Sequence, residues 1–181
     1  MLDIALAILR IALGLILAGH GAQKLFGWFG GQGLAGTGSF LASLRVRGAR
    51  TTALLVGLAE LLGGLALALG LATPIAAAAI VSVMLGAMAL AHWPRFWASG
   101  GGIEYPLVVA AAATQLGLAG PGGFSLDSVI GTSASLPTES TFLWSLLVGL
   151  VVVLAVLVAR KPEVVSESAE RRRDDKLSMA A

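Results

Sequence analysis

Five apolar runs constrain this chain more than anything else in it: residues 4–26, 51–71, 74–91, 103–119 and 142–159. A helix needs roughly 20 mostly apolar residues to cross the hydrocarbon core of a bilayer. The last run, FLWSLLVGLVVVLAVLVA, contains no charged residue, whereas the fourth is short and flanked by glycine. Only 12% of the residues are charged, against about 25% in soluble domains. Lipid is therefore the natural solvent for this chain. The first run is expected to be a retained helix rather than a cleaved signal, because it begins with Asp3 in place of a basic segment and carries Arg10 inside it.

The loop charges give an orientation. Lys24, Arg45, Arg47 and Arg50 follow the first run, Arg95 follows the third, and Arg160, Lys161 and Lys176 with the Arg171–Arg173 run follow the fifth. With five spans these regions share one side and hold every Lys and Arg except Arg10. Asp3, Asp127 and Glu139 fall on the other. Basic loops stay in the cytoplasm. The expectation is an all-α, multi-pass plasma-membrane protein of five transmembrane helices, with the N-terminus outside and the C-terminus cytoplasmic. Residues 1–131 form the core. Residues 132–160 hold a linker and an additional span, and 161–181 form a charged tail of disordered character.

Several chemistries are excluded. There are no cysteines, hence no thiolate metal site, no cysteine-held iron–sulfur cluster and no persulfide carried by this chain. No heme or flavin signature is present. The run Gly31-Gln32-Gly33-Leu34-Ala35-Gly36 spells GxGxxG, but it lies between membrane helices. A dinucleotide site needs a βαβ unit, so these are loop glycines. The net charge of +2 gives no case for nucleic acid. Between the first two spans, Thr37 or Ser39 is expected to cap a short interfacial helix running to Arg47. Phe40, Leu41 and Leu44 would face lipid there.

Ionisable residues inside a membrane are costly and point to function when they face the bundle interior. Arg10 and Glu60 are expected to form a buried ion pair; its structural alternative is a pair that only sets helix register. Gly57, Glu60 and Gly64 share a helix face of the kind that packs closely on a neighbour. His20 and Lys24 are i, i+4 neighbours and, with Glu60, are the candidate catalytic residues. His20 is suited to proton transfer, and Lys24 could equally snorkel to the interface. Two histidines (His20, His92) and Glu104 have no metal-ligand spacing, so no metal site is assigned. A quinone pocket fits the inventory better: it needs hydrogen-bond donors, a proton donor, aromatic surface and access from lipid. Trp28, Gln23, Glu104 and Tyr105 are its candidate binding residues.

The runs AGHGAQKLFGWFGGQGLAGTGSF, GLAELLGGLALALGLATP, GGIEYPLVVAAAA and GPGGFSLD, in this order over residues 4–131, resemble the DoxX family of bacterial and archaeal membrane proteins. The resemblance implies a four-helix membrane core, to which this chain adds a fifth span and a tail. The matching positions are Arg10, His20, Gln23, Lys24, Gly27, Trp28, Gly57, Glu60, Gly64, Glu104 and Tyr105. It also implies a link to redox chemistry. The family is named for a subunit of an archaeal thiosulfate:quinone oxidoreductase, and some actinobacterial relatives join an oxidant-defence membrane complex with a superoxide dismutase and a sulfurtransferase.

Together these readings predict a membrane subunit linking a sulfur or thiol reductant to quinone, with a soluble oxidoreductase or sulfurtransferase as partner. The alternative is a non-enzymatic scaffold that recruits such a partner. A small-solute transporter would show inverted repeats, and no convincing internal repeat is present. Nothing in the sequence specifies an oligomeric state.

Overall fold

The computed structural model describes residues 1–131 and 137–160. Among these the chain is helical, in the order α1 (Leu2–Phe26), α2 (Gly33–Ser43), α3 (Ala49–Leu69), α4 (Thr73–Ala87), α5 (Glu104–Ala119), α6 (Leu126–Ile130) and α7 (Thr138–Val158). A π-helical turn, Met88–His92, extends α4. Four helices are long and apolar enough to cross a membrane: Leu2–Phe26, Ala49–Leu69, Thr73–His92 and Thr138–Val158. With 16 residues, α5 is shorter. It runs beside α1: Tyr105 at its start reaches His20, and Gly123, beyond its end, donates its N–H to Asp3 at 2.9 Å. The tail at 161–181 and the linker at 132–136 lie outside the described residues.

Small residues let α1 and α3 touch backbone to backbone. A methyl group on Gly14 would come within 2.6 Å of the Ala68 nitrogen, and one on Gly64 within 2.6 Å of the Gly14 oxygen. Lipid offers no hydrophobic drive for helices to associate, so close van der Waals approach of this kind supplies much of the attraction. The core lies on the other side of α3, where α4 buries Ala76, Ala77, Ala78, Ile80, Val81 and Met84 against α3, α5 and α7. Phe142 is 1% exposed and fills the notch left by Gly117 beside Ala77, which seats α7 on the core. Further along, α7 packs one face on α4, with Gly149 against Ser82 and Val153 against Gly86, and turns an apolar face outward, as a lipid-facing helix should.

Arg10 organises the end of the bundle where the chain starts. It is 2% exposed, and its Nη1 donates to the Ala68 carbonyl at 2.7 Å. The last carbonyls of α3 have no helical partners and carry partial negative charge, so a guanidinium is stabilising there. Asp127, on α6, accepts from the Ala72 and Thr73 nitrogens at 2.9 and 3.1 Å. These are free N–H groups at the start of α4. Asp127 also donates its own N–H to the Gly70 carbonyl at 2.9 Å. One carboxylate and one guanidinium thus close the α3–α4 turn, and the segment expected to be a plain loop carries a buried cap.

The interfacial helix differs from expectation. It starts at Gly33 and ends at Ser43, before Arg47. Thr37 lies inside it, with its hydroxyl donating to the Gly33 carbonyl at 2.9 Å and lying 3.2 Å from the Lys24 carbonyl. That hydroxyl therefore ties α2 to α1 instead of capping a helix. Arg45 leaves the helix in a left-handed conformation (φ 65°). Arg160, at the end of α7, returns to this corner and donates from Nε and Nη2 to the Leu44 carbonyl at 3.1 and 3.0 Å.

Candidate functional site

Glu60 is 2% exposed, and its partner is Lys24, which reaches Oε2 with its Nζ. The expected Arg10–Glu60 pair does not form, and the α1–α3 register explains why. Gly14 packs beside Gly64 and Ala68, and Gly21 packs beside Gly57 and Leu61. Glu60 therefore sits level with the region of His20, ten residues or about 15 Å along the helix from Arg10. Side chains also lean toward their own helix N-terminus. In this antiparallel pair Lys24 and Glu60 lean toward each other, while Arg10 and Glu60 lean apart.

His20, one turn before Lys24, takes a different partner. Its Nε2 lies 3.1 Å from the Tyr105 hydroxyl at the start of α5, with ring centroids 5.7 Å apart. Lys24–Glu60 thus joins α1 to α3, and one turn away on α1 His20–Tyr105 joins it to α5.

An open groove of about 260 Å³ runs beside the His20–Tyr105 pair, lined by Ile16, Gly19, His20, Gln23 and Phe29. Gly27 ends α1 in the left-handed conformation (φ 75°). Phe29 repeats it at φ 53°, a conformation that costs a non-glycine residue about 1–2 kcal/mol. That turn brings the Phe29 ring back over Gly19, where even a methyl group would touch it at 4.0 Å. Trp28 lies outside the groove, exposed and packed on Phe26. The aromatic wall expected of Trp28 is supplied by Phe29.

Glu104 and His92 serve the connector between α4 and α5. Glu104 accepts from the Ala98 nitrogen at 2.8 Å, and His92 Nδ1 meets the Gly101 carbonyl at 2.8 Å. With the Ile103 and Glu104 nitrogens donating to Arg95 and Phe96, they close a compact loop that presents Trp93, Phe96 and Trp97. The structure therefore brings Lys24, Glu60, His20, Tyr105 and Gln23 together, and leaves Arg10, Trp28, Glu104 and His92 elsewhere. No three His, Asp or Glu side chains gather as a metal site among the described residues. Phe29 was missed in the sequence; its signal was the glycine pair flanking an aromatic pair in GWFGG.

Helices of this length and apolarity, with charges paired inside the bundle, define a multi-helix integral membrane protein. Residues 5–93, from α1 to the end of α4, match the DoxX family. No curated protein and no solved structure matches the chain. Tyr105 and α7 lie beyond the matched segment.

Proposed function

We propose that this chain is a redox-associated membrane subunit that holds a quinone headgroup in the groove beside His20. The observation that carries this reading is the convergence of an imidazole, an amide and an aromatic ring on one open groove. The donor set suits the ligand: a quinone ring needs donors for its carbonyl oxygens, a flat face and an approach from the bilayer. His20 and Gln23 are the donors, Phe29 is the face, and the exposed Ile16 borders the approach. Bound quinone would supply the electron-accepting chemistry, for which this cysteine-free chain has no side chain of its own. His20 orients the carbonyl and is the proton-holding group. Lys24 and Glu60 hold α1 on α3 and so fix the face that presents it.

We take the electron source to be a sulfur or thiol reductant, as the resemblance to the DoxX family implies, handled by a soluble oxidoreductase or sulfurtransferase partner. The charge distribution supports five spans in the plasma membrane with the N-terminus outside. Lys24 and Arg160 each bond to α2 or the turn after it, and Asp3 and Asp127 lie at the opposite end of the bundle. A second reading, a scaffold without redox chemistry, is favoured by the hydrogen-bonded aromatic connector, which would offer Trp93, Phe96, Trp97 and Arg95 to a partner.

Gently purified protein should retain about one quinone per chain, with thiosulfate- or thiol-dependent quinone reduction in the presence of its partner. His20→Ala should lose at least about tenfold in bound quinone, the scale of one well-placed hydrogen bond in a desolvated site. Quinone-free protein with an intact bundle and a co-purifying soluble partner would instead establish the scaffold.

A further inference from the structure

His20 makes one hydrogen bond in the described structure, to the Tyr105 hydroxyl, and this fixes which of its nitrogens is left to act. An unprotonated imidazole nitrogen is a stronger acceptor than a phenolic oxygen, and a phenol is a good donor. The Tyr105 O–H therefore donates to Nε2 across the 3.1 Å contact. The hydrogen bond made by one ring nitrogen sets the state of the other. In the neutral ring the proton then resides on Nδ1, which has no protein partner among the described residues, in a side chain that lines the groove. From these observations we infer that Tyr105 is a positioning residue: it locks His20 as an Nδ1–H donor for a carbonyl-type acceptor lying in the groove.

This assignment deepens the quinone reading and rests on it for the identity of the acceptor. It also makes α5 part of the site, because the groove is lined by α1 and Phe29 while the group that sets its donor comes from 85 residues away. The remaining charged groups near the dyad, Glu60 and Lys24, are paired with each other. Gln23 is the other polar side chain on the groove wall.

The experiment compares the full-length protein with Tyr105→Phe, using imidazole nitrogen NMR well above the unperturbed histidine range. The chain has two histidines, and His92 is an internal reference. Its Nδ1 meets a carbonyl oxygen, so it too must carry the proton on Nδ1, and Tyr105 bonds to His20 instead. Wild-type protein should show both histidines as Nδ1–H tautomers. Tyr105→Phe should shift His20 toward Nε2–H, leave His92 unchanged, and weaken binding of a short-chain ubiquinone analogue about tenfold.

A His20 tautomer that is the same in both proteins overturns the inference, as does a tautomer shift with no change in affinity when the wild-type protein binds the analogue. Because Tyr105 is 43% exposed, loss of one hydroxyl there leaves the fold in place, and the His92 signal reports this directly. A tautomer shift between the two proteins with no binding of the analogue to either overturns the quinone reading and leaves the His20–Tyr105 assignment standing.

Discussion

Replacing Lys24 with Met should lower the unfolding free energy of the bundle by about 3 kcal/mol, the scale seen when one partner of a buried ion pair is removed. The loss arises at Glu60. That carboxylate is 3% exposed, and its cation is 30% exposed, so Lys24 keeps part of its hydration while Glu60 has little. Without Lys24 the carboxylate either stays charged in an apolar surround or takes up a proton, and both cost free energy. The double variant Lys24→Met with Glu60→Leu should recover most of the loss, because well-packed apolar residues often replace a buried pair at little cost. Unfolding in mixed micelles measures all three proteins. If Arg10→Met in place of Lys24→Met gave the rescue, the α1–α3 register described above would be wrong.

Gly21→Leu should have a still larger effect and leave little folded protein. A Cβ at Gly21 would lie 2.7 Å from the Gly57 oxygen and 2.7 Å from Leu61 Cα. Both are backbone atoms of α3, and a helix backbone cannot yield as a side chain can. Accommodating the substitution means parting the two helices, which also breaks the Gly14–Gly64 contact and draws Lys24 off Glu60. Overpacking commonly costs about 1–3 kcal/mol; here the loss should exceed that range, since three contacts fail together. Gly100→Ala is the control, because nothing lies within 4 Å of a Cβ there. Its melting temperature should match that of the wild-type protein.

The helices were legible because long apolar runs have few other structures open to them, and α1, α3, α4 and α7 follow those runs to within a few residues. The partner of Glu60 was not. Depth counted from the end of each run gives a position along a helix but neither the register between two helices nor the lean of their side chains. Glycines 14, 21, 57 and 64 set that register, and their effect appears only once the helices are paired. The parts played by Glu104 and His92 were hidden for a related reason: each bonds a backbone group of a connector whose path no local pattern foretells. Asp127 was read as a loop charge on the outer side, yet it is 4% exposed, because it caps a helix that starts 54 residues earlier. His20 was legible as a candidate; Tyr105 as its partner was not.

In the function proposed for this chain, the groove beside His20 receives a quinone headgroup. A photoreactive quinone added to membranes containing the protein tests it most directly, with the labelled peptides mapped after irradiation. The label should concentrate on residues 16–23 and on Phe29, and it should vanish in His20→Ala while the bundle stays folded. Label spread evenly over the lipid-facing helices, α7 above all, or unchanged in His20→Ala, would contradict it.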